Sequence, residues 1–193
     1  MFDDIKLYNP DFAIDCSSIR NCKDIYTLMR SNKIKNSYVY GMCFKDSPIT
    51  YDFLKVGMSS PSLGETREYQ VGERITRQLA WMPGWQEEPV RSSNGSDFWM
   101  GIANFLIPRK QIPAAIDKNS IVIAVWDVSK RMIAADILPS DEPKATGWAE
   151  GTLAMQYKDK KGRLPYLNVQ DPSRSKHYRN GHTPKTVWDS NFS

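Results

Sequence analysis

"NSYVYGMCF", residues 36–44, and "FLKVGM", residues 53–58, are two runs of aromatic, β-branched and bulky apolar residues joined by "KDSPITYD". Runs of this kind bounded by turn-forming residues read as strands, and Pro48 beside Ser47 and Asp46 makes the connection a loop. Together they predict a β-hairpin. A lysine within such a strand, here Lys55, ordinarily lifts its ammonium into solvent along the polar face. The alternative is an ammonium aimed into a cleft where it meets an anion. Gly57, followed by Ser59 and Ser60, reads as the turn that ends the second strand. Tyr38 and Tyr40 alternate with Ser37 and Val39, so both tyrosines face one side of the first strand.

Working outward, "SIRNCKDIYTLMRSN" (18–32) predicts a helix. Ile19, Ile25, Leu28 and Met29 recur at near-helical spacing, and Ser17 or Ser18 is placed to cap its start. "SSPSLGETREYQ" (59–70) is a polar linker, and "VGERITRQLAWM" (71–82) a short helix with Ile75, Leu79 and Met82 on one face, stopped by Pro83 and Gly84. "PGWQEEPVRSSNGS" is a loop by composition, whereas "DFWMGIANFLIP" (97–108) is strand or buried helix, which periodicity cannot separate. "SIVIAVWDV" (120–128) is a continuous apolar run of strand length. "PKATGWAEGTLAMQYKDKKG" (143–162) contains a helix with Trp148, Leu153, Ala154 and Tyr157 on a buried side and Gly162 beyond its basic end. Glu150 reads as the first-turn acid of the segment "EGTLAMQY". The fold class expected is α+β: a small, mainly antiparallel central sheet of three core strands with helices packed on it.

At 193 residues the chain is long enough for one compact core. Its apolar runs fall short of the roughly 18 residues that span a bilayer, and "MFDDIKLYNPDF" lacks a charged-then-apolar leader pattern. Three cysteines without a C-x-x-C pair, with two histidines, suggest neither a zinc ribbon nor a disulfide framework. A reducing cytoplasm fits. His177 and His182 lie five apart in a basic segment without nearby acids or cysteine, a poor metal site. Trp81, Trp85, Trp99 and Trp148 read as core residues rather than base-stacking groups.

The net charge of +4 decides little by itself, but its distribution is uneven. Asp3, Asp4, Asp11 and Asp15 occupy the start. Arg20, Lys23, Arg30, Lys33 and Lys35 then face a single Asp24. The tail "SRSKHYRNGHTPK" (173–185) holds Arg174, Lys176, Arg179 and Lys185 and no acid. Solvated charge explains both clusters; a polyanionic partner such as nucleic acid is the sharper reading.

Taken in order, "YVY", "KVG", "ERITRQL" and "EGTLAMQYKDKKGRLPYLN" resemble the GIY-YIG nuclease family, over roughly residues 37–170. Tyr38-Val39-Tyr40 stands at the G-I-Y strand, with Tyr40 as the family's first tyrosine, and Lys55-Val56-Gly57 stands at Y-I-G. Arg74-Ile75 matches the helical arginine, and Gln78 takes the place four residues on where the family often has His or Tyr. Glu150 with Leu153 fits the E-x-x-L helix, and Pro165 and Asn168 fit the closing proline and asparagine. Two departures are plain: Tyr38 replaces the first glycine, and Lys55 replaces the second tyrosine, as in some restriction-endonuclease members.

The resemblance implies a nuclease domain over 37–170 with an insertion at about 82–119, preceded by an N-terminal helical extension (1–36) and followed by a basic tail (171–193). It implies hydrolysis of phosphodiester bonds in double-stranded DNA, most like the type II restriction branch, with a homodimer if cutting is palindromic. The implied catalytic set is Tyr40, Lys55, Arg74, Glu150 and Asn168, with Tyr38, Arg77 and Gln78 as secondary members. One carboxylate, Glu150, suits a water-rich Mg²⁺ site, for which Mn²⁺ can substitute. Tyr40 or Lys55 would serve as base, the phenol pKa being lowered by nearby cations. Asn168 would position the Glu150 helix or the metal shell. The tail basics Arg174, Lys176, Arg179 and Lys185 would contact DNA. Lys55 and Gln78 also motivate a second reading, a non-catalytic DNA-binding protein on the same scaffold. A phage-type nicking or genome-degrading nuclease is compatible as well.

Overall fold

The computed structural model describes residues 10–35, 37–45, 52–60, 71–86, 96–110, 112, 116–134 and 142–168. The tail residues Arg174, Lys176, Arg179 and Lys185, both histidines and the linker core 61–70 lie outside them. Strand β1 (Phe12–Asp15) is followed by a single 3₁₀ turn and helix α1 (Cys22–Ser31). The hairpin strands are β2 (Tyr38–Phe44) and β3 (Phe53–Ser59), leading to helix α2 (Glu73–Leu79). Helix α3 (Ser96–Gly101) runs on as a π-helical turn (Ile102–Leu106). Strand β4 (Ile121–Asp127), helix α4 (Val128–Ala134) and helix α5 (Glu142–Lys161) complete the order.

The architecture is α+β with an antiparallel sheet in the order β1-β4-β2-β3. Among the described residues the sheet has four strands, not three. The additional strand, Phe12–Asp15, comes from the acidic start of the chain and pairs with β4 from Phe12↔Val125 to Asp15↔Val122. Ile14 is fully buried and Phe12 packs partly buried against the same layer, but four residues give too short an alternation to read as a strand. Helix α1 is capped by Asn21, not by Ser17 or Ser18. The Asn21 side chain accepts from Lys23 and Asp24 N–H groups, and Asp24 reaches back to the Asn21 N–H, a reciprocal capping arrangement.

Side-chain alternation splits the core into two layers. Tyr38, Tyr40, Met42, Phe44, Ile121, Ile123 and Val125 face one layer, closed by Ile25 and Met29 of α1, Ile75 and Leu79 of α2, and Phe98 and Ile102 of the α3 unit. Val39, Cys43, Phe53, Val56, Val122 and Trp126 face the other, closed by Met132 of α4 and by Ala145, Ala149, Leu153 and Tyr157 of α5. Strands β2 and β4 are buried on both faces, which is why they read as continuous apolar runs. Small residues on α5, Ala145, Thr146, Ala149 and Ala154, are fully buried. The Phe53 ring meets Trp126 edge-on at 6.1 Å and Tyr157 at 5.2 Å, tying that helix to the start of β3.

A candidate active site on the hairpin

The direction of Lys55 follows from an irregularity in the hairpin. Pairing runs Tyr40↔Gly57, Gly41↔Val56 and Met42↔Lys55, then shifts so that Cys43 opposes Phe53. Leu54 is therefore an extra residue, a β-bulge that interrupts strict alternation. Leu54 packs into the same layer as Tyr40 and Met42, while Phe53 packs into the opposite one. Lys55, opposite Met42, consequently turns its half-buried side chain toward the tyrosine face rather than solvent. Its Nζ donates to Oε1 of Gln78 at 3.0 Å, and Gln78 is buried within α2. Of the two readings of Lys55, the inward one describes the structure.

Gly57 does not end the strand, which continues to Ser59. It sits in mid-strand under the Tyr40 ring, where a Cβ would lie 2.5 Å from both Cζ and the hydroxyl oxygen. Glycine here provides room for a phenol laid across the neighbouring strand. Tyr38 and Tyr40 share the face, their ring centroids 6.3 Å apart, and both are fully buried. Their hydroxyls therefore do not stand in water as strand tyrosines ordinarily do.

Helix α2 supplies the arginine. It begins after Gly72, which at φ +101° occupies the left-handed region and packs against Ile25 of α1. Arg74 hydrogen-bonds Tyr40, and its positive charge favours the phenolate. Burial outweighs that attraction and, with a smaller contribution from the nearby Glu150 charge, pushes the Tyr40 hydroxyl up to about 12. The expectation that cationic neighbours lower this pKa is thus overturned by desolvation. Burial raises Tyr38 as well. Arg77, one turn on from Arg74, is engaged in an ion pair with Glu73.

Glu150 lies in the interior of α5, which starts at Glu142, so it is not a first-turn acid. Although α5 packs on the Val39–Val56 layer, the Glu150 carboxylate comes under the influence of Lys55 and Arg74 from the opposite layer. Burial pushes its carboxyl up to about 7, against the opposing attraction of these two cations. Tyr40, Lys55, Arg74 and Glu150 thus form one electrostatically connected group, with Gln78 behind the lysine.

Asn168 belongs to the group by a different route. Its Oδ1 accepts from Val56 N–H at 2.8 Å and its Nδ2 donates to Val56 C=O at 3.0 Å. Leu167 N–H donates to Leu54 C=O at 2.7 Å and Tyr166 N–H to Phe53 C=O at 3.3 Å. The closing segment therefore pairs with the outer edge of β3, and the Asn168 amide substitutes for a strand partner on both sides of Val56. Asn168 fixes the strand that carries Lys55, rather than the Glu150 helix or a metal shell. Arg163 reinforces the same edge: its guanidinium lies 3.7 Å above the Tyr166 ring and pairs with Asp52 at 2.7 Å.

Sequence reasoning takes Gly57 as a strand-ending turn and misses both its place under the Tyr40 ring and the Leu54 bulge. A glycine opposite a tyrosine across a hairpin was a usable signal once the register was known; the bulge left no signature of its own in "FLKVG". Among the described residues, no three His, Cys, Asp or Glu side chains converge. None of the described helices is long and apolar enough to cross a membrane. No family model, curated protein or solved structure matches the chain.

Proposed function

We propose that the chain is a divalent-metal-dependent DNA endonuclease that hydrolyses phosphodiester bonds, of restriction type and acting in the cytoplasm. The observation that carries this reading is the convergence of a phenol, an ammonium, a guanidinium and a carboxyl from β2, β3, α2 and α5. Hydrolysis of a phosphodiester needs a positioned water, compensation of charge on phosphorus and support for the leaving oxygen. The planar Arg74 fork suits two non-bridging oxygens at once, where a lysine would give only a point contact. The Lys55 ammonium, steadied by Gln78, would neutralise the same phosphate. Tyr40, kept as a phenol by burial, would orient the attacking water as a hydrogen-bonding partner rather than remove its proton.

Glu150 would hold the metal. Its carboxyl is pushed up to about 7 by burial against the attraction of the two neighbouring cations, a bound divalent cation would favour its ionised form, and such an ion with water in its remaining positions fits a site with one carboxylate. Bound there, the ion would supply Lewis-acid activation of the phosphate and stabilisation of the leaving alkoxide. Palindromic double-strand cutting would call for two copies of the chain.

The second reading, a DNA-binding protein without catalysis, is favoured by one observation: Lys55 stands where the resembling family has tyrosine and donates to Gln78. Incubation of supercoiled plasmid with Mg²⁺ or Mn²⁺ separates these readings. Discrete fragments support a site-specific endonuclease, and a smear supports a phage-type degrading enzyme. Intact supercoil together with salt-sensitive binding supports the binder.

A further inference from the structure

The insertion between α2 and β4 presents a surface that the candidate site does not use. Phe105 is 54% exposed and Met100 49%, the two most exposed large apolar side chains among the described residues. Neither contributes to the core. The change from α- to π-helical winding, closed by Ile107 N–H to Ile102 C=O at 3.1 Å, keeps Ile102 and Leu106 inward while Phe105 faces out. Inserted π turns of this kind recur at functional positions.

The chemistry around Phe105 is cationic. The Arg109 guanidinium stands 5.9 Å from the Phe105 ring centroid, and Lys110 is exposed with its backbone at φ +55°. The run Phe98 to Ile112, "FWMGIANFLIPRKQI", contains no acid. An exposed phenyl ring with a guanidinium over it, followed in sequence by an exposed lysine, complements a duplex, whose phosphates flank stackable bases. A duplex offers both cations phosphate partners, which a neutral protein face does not.

The surface is also attached to the candidate site. Gly101 packs so closely on Leu167 that a Cβ would lie 2.8 Å from its Cδ2. Leu167 in turn bonds Leu54 of β3, and its neighbour Asn168 grips Val56. The insertion helix and the strand bearing Lys55 are thereby braced by one short segment.

We propose that Met100, Phe105, Arg109 and Lys110 form a duplex-DNA docking surface. Arg109 and Lys110 contact backbone phosphates, and Phe105 with Met100 packs against a base step from the minor-groove side. The proposal rests on the nuclease reading for its choice of DNA.

The test uses the full chain with Ca²⁺ in place of Mg²⁺, so that binding is read without cleavage, on a fluorescent duplex carrying a cleaved sequence. Arg109→Ala/Lys110→Ala is expected to weaken binding fivefold or more and to reduce the slope of log affinity against log salt by about two. Met100→Ser/Phe105→Ser is expected to weaken binding about tenfold at unchanged slope and to abolish any 2-aminopurine signal of unstacking. Unchanged affinity in both double variants, with wild-type circular dichroism and with wild type still binding and cutting, overturns the docking surface and leaves the nuclease reading standing. Wild type that binds no duplex overturns both. A wild-type dimer that Met100→Ser/Phe105→Ser converts to monomer in sedimentation, with DNA affinity intact, assigns the patch to a second copy and overturns the proposal.

Discussion

Gly57 lies directly beneath the hydroxyl of Tyr40, so that a single added methyl would fall 2.5 Å from the phenol oxygen. The phenol is thereby placed across β3 by the absence of a side chain there. Gly57→Ala should displace the Tyr40 ring or open the hairpin, costing about 1–3 kcal/mol as overpacking of a filled core. Chemical denaturation measures that loss. A variant as stable and as active as wild type would mean that the Tyr40 position is not held by this contact.

The Glu150 carboxyl predicts a specific pH dependence. Its folded pKa, about 7, lies above the ordinary glutamate value of 4.5. Between those values the folded state holds a proton that the unfolded state has released, so this group's contribution to stability falls as pH rises through the window. Above about pH 7 the cost of the buried charge is fully expressed. Glu150→Gln should therefore gain stability relative to wild type at pH 8 but not at pH 4, by roughly 1–3 kcal/mol. Urea titrations at the two pH values check this, and added Ca²⁺ should diminish the difference if the carboxylate holds a cation.

Asn168 is expected to act on β3 rather than on reacting atoms. Asn168→Ala removes two hydrogen bonds to Val56, a loss on the order of 1–2 kcal/mol. Asn168→Asp retains an acceptor for the Val56 N–H but opposes an oxygen to the Val56 carbonyl, so it should not restore the strand edge. Amide hydrogen exchange at Val56 reports this directly: both variants should accelerate it, and an unchanged rate would remove the assigned role.

Arg74 is expected to stabilise charge that develops on phosphorus. Arg74→Ala should lower the cleavage rate by on the order of a hundredfold or more, and Arg74→Lys should recover little because the bidentate fork is lost. Single-turnover rates on a saturating duplex distinguish this from weakened binding. A loss below threefold would exclude Arg74 from the reacting group.

The hairpin, the central strand β4 and the long final helix were legible because each carries a strong local pattern. β2 and β4 are buried at every position and β4 is apolar up to its closing Asp127, and α5 places Trp148, Leu153, Ala154 and Tyr157 inward. The facing of Lys55 was not legible. Periodicity alone cannot reveal that Leu54 is an extra residue, and one inserted residue reverses every assignment before it. β1 was hidden by its brevity, and Glu150 was misplaced within its helix because Glu142 and Pro143 start the helix two turns earlier. The Tyr40 pKa went the other way from expectation since charge can be counted in a sequence but burial cannot. The ambiguous run 97–108 is helical, with a π turn whose Ile102 and Leu106 pack into the core.

The central claim is that four side chains from separate elements act together on a phosphodiester through the Glu150 carboxylate. Single-turnover cleavage of one duplex by wild type and by Glu150→Gln, in Mg²⁺ and with binding measured in parallel in Ca²⁺, tests it most directly. The account predicts cutting by wild type alone, with the variant folded and still bound to DNA. Equal cutting by both proteins, or an intact duplex with folded wild type in either Mg²⁺ or Mn²⁺, would contradict it.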